Sequence, residues 1–114
     1  MKFSSLSIAV CTVVIALSSL STAHAAVDAD AAKALFKESE CTKCHAPDKA
    51  KKGPSLQKIA EKYKGKADGQ DKLVTNFTTG PKVKLADGTE EKHKIIDTKD
   101  PKVLKNLADW MLAQ

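Results

Sequence analysis

Five consecutive residues carry chemistry in this chain: Cys41-Thr42-Lys43-Cys44-His45. Two thiols two residues apart, followed at once by an imidazole, form the attachment sequence of a c-type haem. Each thiol bonds to a vinyl group of the porphyrin and gives a thioether that does not dissociate. The two-residue spacer lets both sulfurs reach one edge of the ring, and the histidine falls beneath the iron as an axial ligand. Two other uses of the pattern compete. A structural zinc site needs about four ligands in tetrahedral array, and past residue 25 only His45 and His93 remain to complete one, His45 being adjacent to the thiols. A redox dithiol calls for a surrounding βαβ pattern, which is absent. Haem attachment is the reading that uses all three residues.

The N-terminal stretch reads as a secretory signal peptide. Met1-Lys2 is a short positive start, Phe3 to Leu20 is apolar, Ser-rich and uncharged, and Ala23-His24-Ala25 is a small-x-small cleavage site. A membrane anchor is the lesser alternative, because serines interrupt the stretch. Cys11 follows bulky Val10, a poor setting for lipid modification, and leaves with the signal. Division into a signal at 1–25 and one domain at 26–114 is expected, with export to the periplasm of a Gram-negative bacterium and no membrane insertion after cleavage. The exported part keeps two cysteines, two histidines and one methionine, Met111; its 18 lysines face 14 carboxylates, and it has no arginine. With both cysteines taken by haem, no disulfide is expected even in an oxidising compartment. Export, the missing arginine and the few aromatics available for base stacking argue against a nucleic-acid role.

The elements that must position the motif read mostly as helices. Asp28 or Asp30 caps a first helix running to about Ser39, with Ala31, Leu35 and Ala32, Phe36 at i, i+4 spacing on its apolar face. Ala46 to Lys52 is a Lys-rich loop, and Gly53-Pro54 forces a turn. Ser55 caps a second helix with Leu56, Ile59, Ala60 and Tyr63 inward. Gly65 to Gly69 reads as a polar connection, and Asp71 to about Thr79 as a third helix with Leu73, Val74 and Phe77 inward, ended by Gly80-Pro81. Between Lys82 and Ile96, Val83 and Leu85 alternate with lysines, and Asp87-Gly88 is a hairpin-type turn signal. Asp100-Pro101 opens a last helix to about Ala113. Val103, Leu107 and Trp110 form one stripe on it; Leu104, Ala108 and Met111 form the next. A core this small sits near the lower limit for self-sufficiency, so a buried haem would supply missing apolar volume and the apoprotein should be largely unfolded.

Taken together, the layout resembles a small bacterial class I cytochrome c with one haem. The likeness rests on Leu35-Phe36 before the motif, Cys41 to His45 itself, Gly53-Pro54 after it, and the closing helix Leu107 to Leu112 with Trp110, and it covers nearly all of 26–114. It implies an all-α fold of about four helices around one covalently bound haem c, with first and last helices crossing beside it; the alternation and turn signal read at 82–96 add a short hairpin in the distal loop. It also implies that the Pro54 carbonyl holds Nδ1 of His45, fixing the ring and raising its basicity.

The sequence departs from that family at the sixth ligand. The usual methionine before the last helix is missing, and Lys92-His93-Lys94 stands at its place. His93 is the first choice for distal ligand, giving bis-histidine iron. Met111, Lys92 or Lys94 (if deprotonated), and an open iron remain as rivals; Met111 lies deep in the last helix, where core packing is its natural task.

These residues point to a monomeric periplasmic electron carrier and not to an enzyme. Thioether ligation raises haem potential, so an imidazole in its place should lower it, and two filled axial positions leave no room for substrate. The alternative is a haem protein that binds a diatomic gas or peroxide where His93 is absent or displaceable. Lys43, Lys49, Lys51 and Lys52 near the motif, and Lys82, Lys84, Lys92 and Lys94 near the distal loop, would steer redox partners with acidic docking surfaces.

Overall fold

A computed structural model describes residues 26–114; the signal segment read at 1–25, with Cys11 and His24, lies outside the described residues. Four helices and one small hairpin make up the fold: α1 (Ala29–Glu38), α2 (Leu56–Tyr63), α3 (Gly69–Thr79), β1 (Lys82–Lys84), β2 (Glu90–Lys92) and α4 (Pro101–Leu112). A single 3₁₀ turn at Cys41–Lys43 follows α1.

Local chemistry sets most helix starts. The side chains of Asp28, Ser55 and Asp100 each accept a hydrogen bond from a backbone N–H in the first turn of α1, α2 and α4. That satisfies a donor left unpaired at a helix N-terminus, and losing such a cap typically costs about 1 kcal/mol. Helix α3 lacks a side-chain cap and begins at Gly69, ahead of the expected start at Asp71. Its first residue is buried against α2: a Cβ on Gly69 would lie 2.3 Å from the Tyr63 carbonyl oxygen. Glycine, a poor helix former, reads as linker in sequence; here a close backbone crossing requires it.

Helix α4 is the common partner of the other three and packs on α1, α2 and α3. No comparably packed interface joins those three to one another among the described residues. Leu104, Leu107, Ala108, Trp110 and Met111 are buried on it, and Trp110 meets Phe36 of α1 edge to face at 5.5 Å. Offset and edge-on aromatic pairs of this kind add to simple burial. Asn106 ties the same two helices at their N-terminal ends, accepting from the Asp28 N–H at 2.8 Å and donating to the Asp28 carbonyl at 2.9 Å.

Two expected inward positions turn outward. Val103 is 39 % exposed, and Ala31 is exposed while Ala32 and Phe36 are buried. Neighbouring i, i+4 stripes are indistinguishable by period alone; the crossing of α1 and α4 selects one of each. Tyr63 and Val74 pack on the core while only partly buried.

The hairpin pairs Lys82 with Lys92, Val83 with Glu91 and Lys84 with Glu90. Leu85 and Thr89 close its turn over Asp87, whose carboxylate accepts from both the backbone N–H and the hydroxyl of Thr89. Two bonds join the neighbouring chain to α3 and the residues just after it: Ile96 N–H to the Phe77 carbonyl and His93 N–H to the Pro81 carbonyl, both 2.8 Å. At the far end Ala86 N–H reaches the Lys52 carbonyl at 3.2 Å, joining the hairpin to the loop after the motif.

Candidate haem site

The cysteine pentapeptide sits on a tight turn. Cys44 and His45 N–H groups both bond the Cys41 carbonyl, and Lys43 N–H bonds that of Glu40. This turn brings Cys41, Cys44 and His45 to the wall of one cleft of about 1140 Å³. The opposite wall is the chain around His93, and the interior is apolar, with Ile59, Leu73, Phe77, Ile96, Leu107 and Met111. Both histidines and both cysteines are partly buried. Burial pushes the Cys41 thiol upward from its ordinary value. It pulls His45 downward, with a smaller opposing effect from the Pro54 carbonyl and a further lowering by His93. His45 therefore holds a neutral ring near pH 7, the form with a lone pair to offer a metal.

Nδ1 of His45 donates to the Pro54 carbonyl at 2.7 Å. Nδ1 of His93 donates to the Lys94 carbonyl at 2.9 Å. A carbonyl can only accept, so in each ring the proton is on Nδ1 and Nε2 carries the free lone pair. The two rings lie across the cleft with centroids 6.2 Å apart and planes tilted by 37°. A metal–imidazole bond is about 2.0 Å and the nitrogen lies about 1.1 Å from its ring centre, so imidazoles on opposite sides of one ion have centroids about 6.2 Å apart. The donor set and the cleft thus fit one iron porphyrin: two sulfurs at one edge, an imidazole on either face, and apolar walls. Met111 is buried at 6 % exposure in α4 and lines the cleft as part of the core.

Gly53 has a role beyond turning the chain. Its N–H bonds the Cys44 carbonyl at 2.9 Å, and a Cβ there would stand 2.8 Å from Cε1 of His45 and 3.2 Å from Nδ1. A Gly53→Ala change must therefore move the ring or the loop. We expect it to lower the stability of the holoprotein by about 1–3 kcal/mol, the usual cost of forced overpacking. Thermal unfolding of the haem-loaded protein checks this; an unchanged midpoint would show that the ring has room to yield.

Lysines rim the cleft. Lys43, Lys52, Lys82, Lys84, Lys92 and Lys94 line it, as do Lys58 and Lys62 of α2, which sequence spacing did not single out. Lys49 does not line it, and Lys51 turns its ammonium onto the Thr42 carbonyl. Glu40 takes Lys43 on one carboxylate oxygen at 2.5 Å and Lys94 on the other. These two cations hold its carboxyl down at about 2. The link to Lys94 spans the chain from the motif to the distal loop, a pairing no local signal announces. No three His, Cys, Asp or Glu side chains among the described residues are arranged to hold a metal ion by themselves, and no helix there is long and apolar enough to cross a membrane.

A family model described as cytochrome c matches residues 29–113. Among solved structures the chain is similar to the class 1 cytochrome MtoD from Sideroxydans lithotrophicus ES-1, at 55% identity and a TM-score of 0.73, covering 77% of this chain and 97% of that one. Cytochrome c552 of Nitrosomonas europaea is 27% identical with a TM-score of 0.58, covering 71% of this chain and 96% of that one. Cytochrome c-551 of Allochromatium vinosum is 41% identical over 46 residues, 40% of this chain; the match spans about half the length of that curated relative, 49%.

Proposed function

The chain belongs to the cytochrome c family, and we propose that within it this protein is a periplasmic single-haem carrier of low potential whose iron is held between His45 and His93. Membership itself makes it an electron-transfer protein, with haem c attached covalently through Cys41 and Cys44. The observation that supports the ligand pair is the facing of two imidazoles at 6.2 Å with both Nδ1 atoms occupied by carbonyls.

The haem supplies one-electron chemistry; the residues of this chain set its surroundings. Pro54 and Lys94 carbonyls orient the two rings and raise their basicity, which favours ferric iron over ferrous. Imidazole in the place of thioether lowers the potential in the same direction. With His45 and His93 to hold it, a haem would exchange an electron with little rearrangement of these side chains, as suits electron transfer more than catalysis. Ile59, Leu73, Phe77 and Leu107 exclude water from the interior side. The lysine rim offers a positive face that would steer acidic redox partners, worth more in encounter rate than in affinity and weakened by salt. Residues 1–25 would deliver the chain to the periplasm and be removed, leaving a monomer free of the membrane.

Absorption spectra of the purified ferric and ferrous holoprotein, with and without carbon monoxide, test this reading. Low-spin spectra in both states, no sulfur-to-iron charge-transfer band and slow or negligible carbon monoxide uptake are expected. A sulfur band would move the assignment to Met111. A ferrous form that takes up carbon monoxide rapidly would mean an open distal side and a gas- or peroxide-binding role.

A further inference from the structure

Glu40 stands immediately before Cys41 with φ +59, the one non-glycine residue in the left-handed region among the described residues. That backbone turn aims its carboxylate across the mouth of the cleft, where Lys94 meets it. Lys94 follows His93 and serves at both ends: its carbonyl accepts the His93 Nδ1–H, and its ammonium pairs with Glu40. The other hydrogen bonds from the segment 82–99 to the rest of the fold are backbone bonds, from Ala86, His93 and Ile96. Neither strand packs extensively on a helix. Apart from the local bond of the Asp100 N–H to the Thr98 hydroxyl, the Glu40 pair is thus the only side-chain hydrogen bond holding the distal segment to the body among the described residues, and it ends one residue from the haem attachment.

We propose that Glu40 and Lys94 are positioning residues for the distal imidazole: their ion pair fixes the carbonyl that orients His93 and so sets how readily His93 leaves the iron. This rests on the reading of His93 as a ligand. Lys94 cannot swing outward while its ammonium is held, and its carbonyl stays on the His93 ring. Without Glu40 the distal segment keeps its backbone bonds to Phe77, Pro81 and Lys52, but no side chain ties the residues beside His93 to the motif. The pair thereby helps decide whether small molecules reach the iron, the property that separates a carrier from a ligand-binding haem protein.

The test is stopped-flow mixing of ferrous holoprotein with carbon monoxide, chosen because it is uncharged and insensitive to lost surface charge. In the wild type the rate should level off with carbon monoxide concentration, limited by departure of His93. Glu40→Gln and Lys94→Gln should each raise that limiting rate about three- to fivefold, the scale of a half-exposed ion pair. The double variant should match either single one, since both remove the same interaction. Lys99→Gln, an exposed lysine of the same segment that does not line the cleft, should leave the rate unchanged, and added salt should narrow the gap between variants and wild type. If the wild type shows a plateau but the two variants do not differ from it, or their effects simply add, the positioning role is overturned while the ligand assignment stands. If the wild type binds rapidly without a plateau, His93 is not on the iron and both readings fall.

Discussion

His93→Ala should turn the protein from low-spin to high-spin, open the ferrous iron to rapid carbon monoxide binding and raise the reduction potential. The expected change is large because no other donor replaces the ring. Met111, the only thioether among the described residues, is built into α4 between Trp110 and Leu112, and reaching the iron with it would require dismantling the helix that the other three pack on. Lys94 has its ammonium held by Glu40, which pushes its titration up and leaves no lone pair on the nitrogen to offer a metal. The potential rises because the ferric state loses a good donor. Each tenfold by which imidazole prefers ferric over ferrous iron is worth about 59 mV in a one-electron couple, so a shift of one such step or more is expected. Absorption spectra, carbon monoxide binding and a redox titration of the variant read these effects. A variant that stayed low-spin and closed would remove His93 from the iron. Added imidazole should restore the low-spin spectrum, which a folding defect would not allow.

Cys41→Ser/Cys44→Ser should yield a chain with no attached haem and little persistent helix. The reason lies in how the core is divided. Helices α1, α2 and α3 each rest on α4 but share no comparable interface with one another, and the hairpin hangs from the chain by backbone bonds at its two ends. Ile59 of α2, Leu73 and Phe77 of α3 and Ile96 of the distal segment meet around the cleft of about 1140 Å³. A domain of this size has only about 5–15 kcal/mol of net stability, a margin of the same order as the burial of a few aliphatic or aromatic side chains at about 1.5–3 kcal/mol each. The haem group is the apolar partner these walls share, so its loss should remove a large part of the margin. Far-ultraviolet circular dichroism of the variant, compared with the holoprotein, measures this. More than half of the helical signal should disappear at 25 °C. A fully helical apoprotein with a cooperative melt would show that α4 alone organises the fold.

The two predictions separate the site by how its parts are encoded. Covalent attachment needs its residues in one stretch, because both sulfurs must reach one edge of one ring from a single turn. Contiguous chemistry is legible in sequence, and Cys41, Cys44 and His45 stand together on the turn as that reading requires. Helix starts are legible for a similar reason. A cap is a bond between a side chain and a backbone group two or three residues on, and Asp28, Ser55 and Asp100 all make it.

Distance along the chain is where sequence stopped. Its only lead to His93 was that the family's methionine was missing nearby. Folding brought that ring opposite His45 by seating the chain around it on the end of α3, with backbone bonds to Pro81 and Phe77. Nothing local could show that Gly53 is pressed against the proximal ring, that Gly69 starts a helix because α2 ends against it, or that Glu40 reaches Lys94. Nor could periodicity choose between the paired stripes of α1 and α4, where Ala31 and Val103 turned outward. The sequence by itself determined the attachment stretch Cys41 to His45 and the starts of the helices capped by side chains, because those are interactions between near neighbours. Tertiary structure alone decided which imidazole faces the other, which glycines must stay small and which charges meet, because those follow from how separate segments pack around α4 and the cleft.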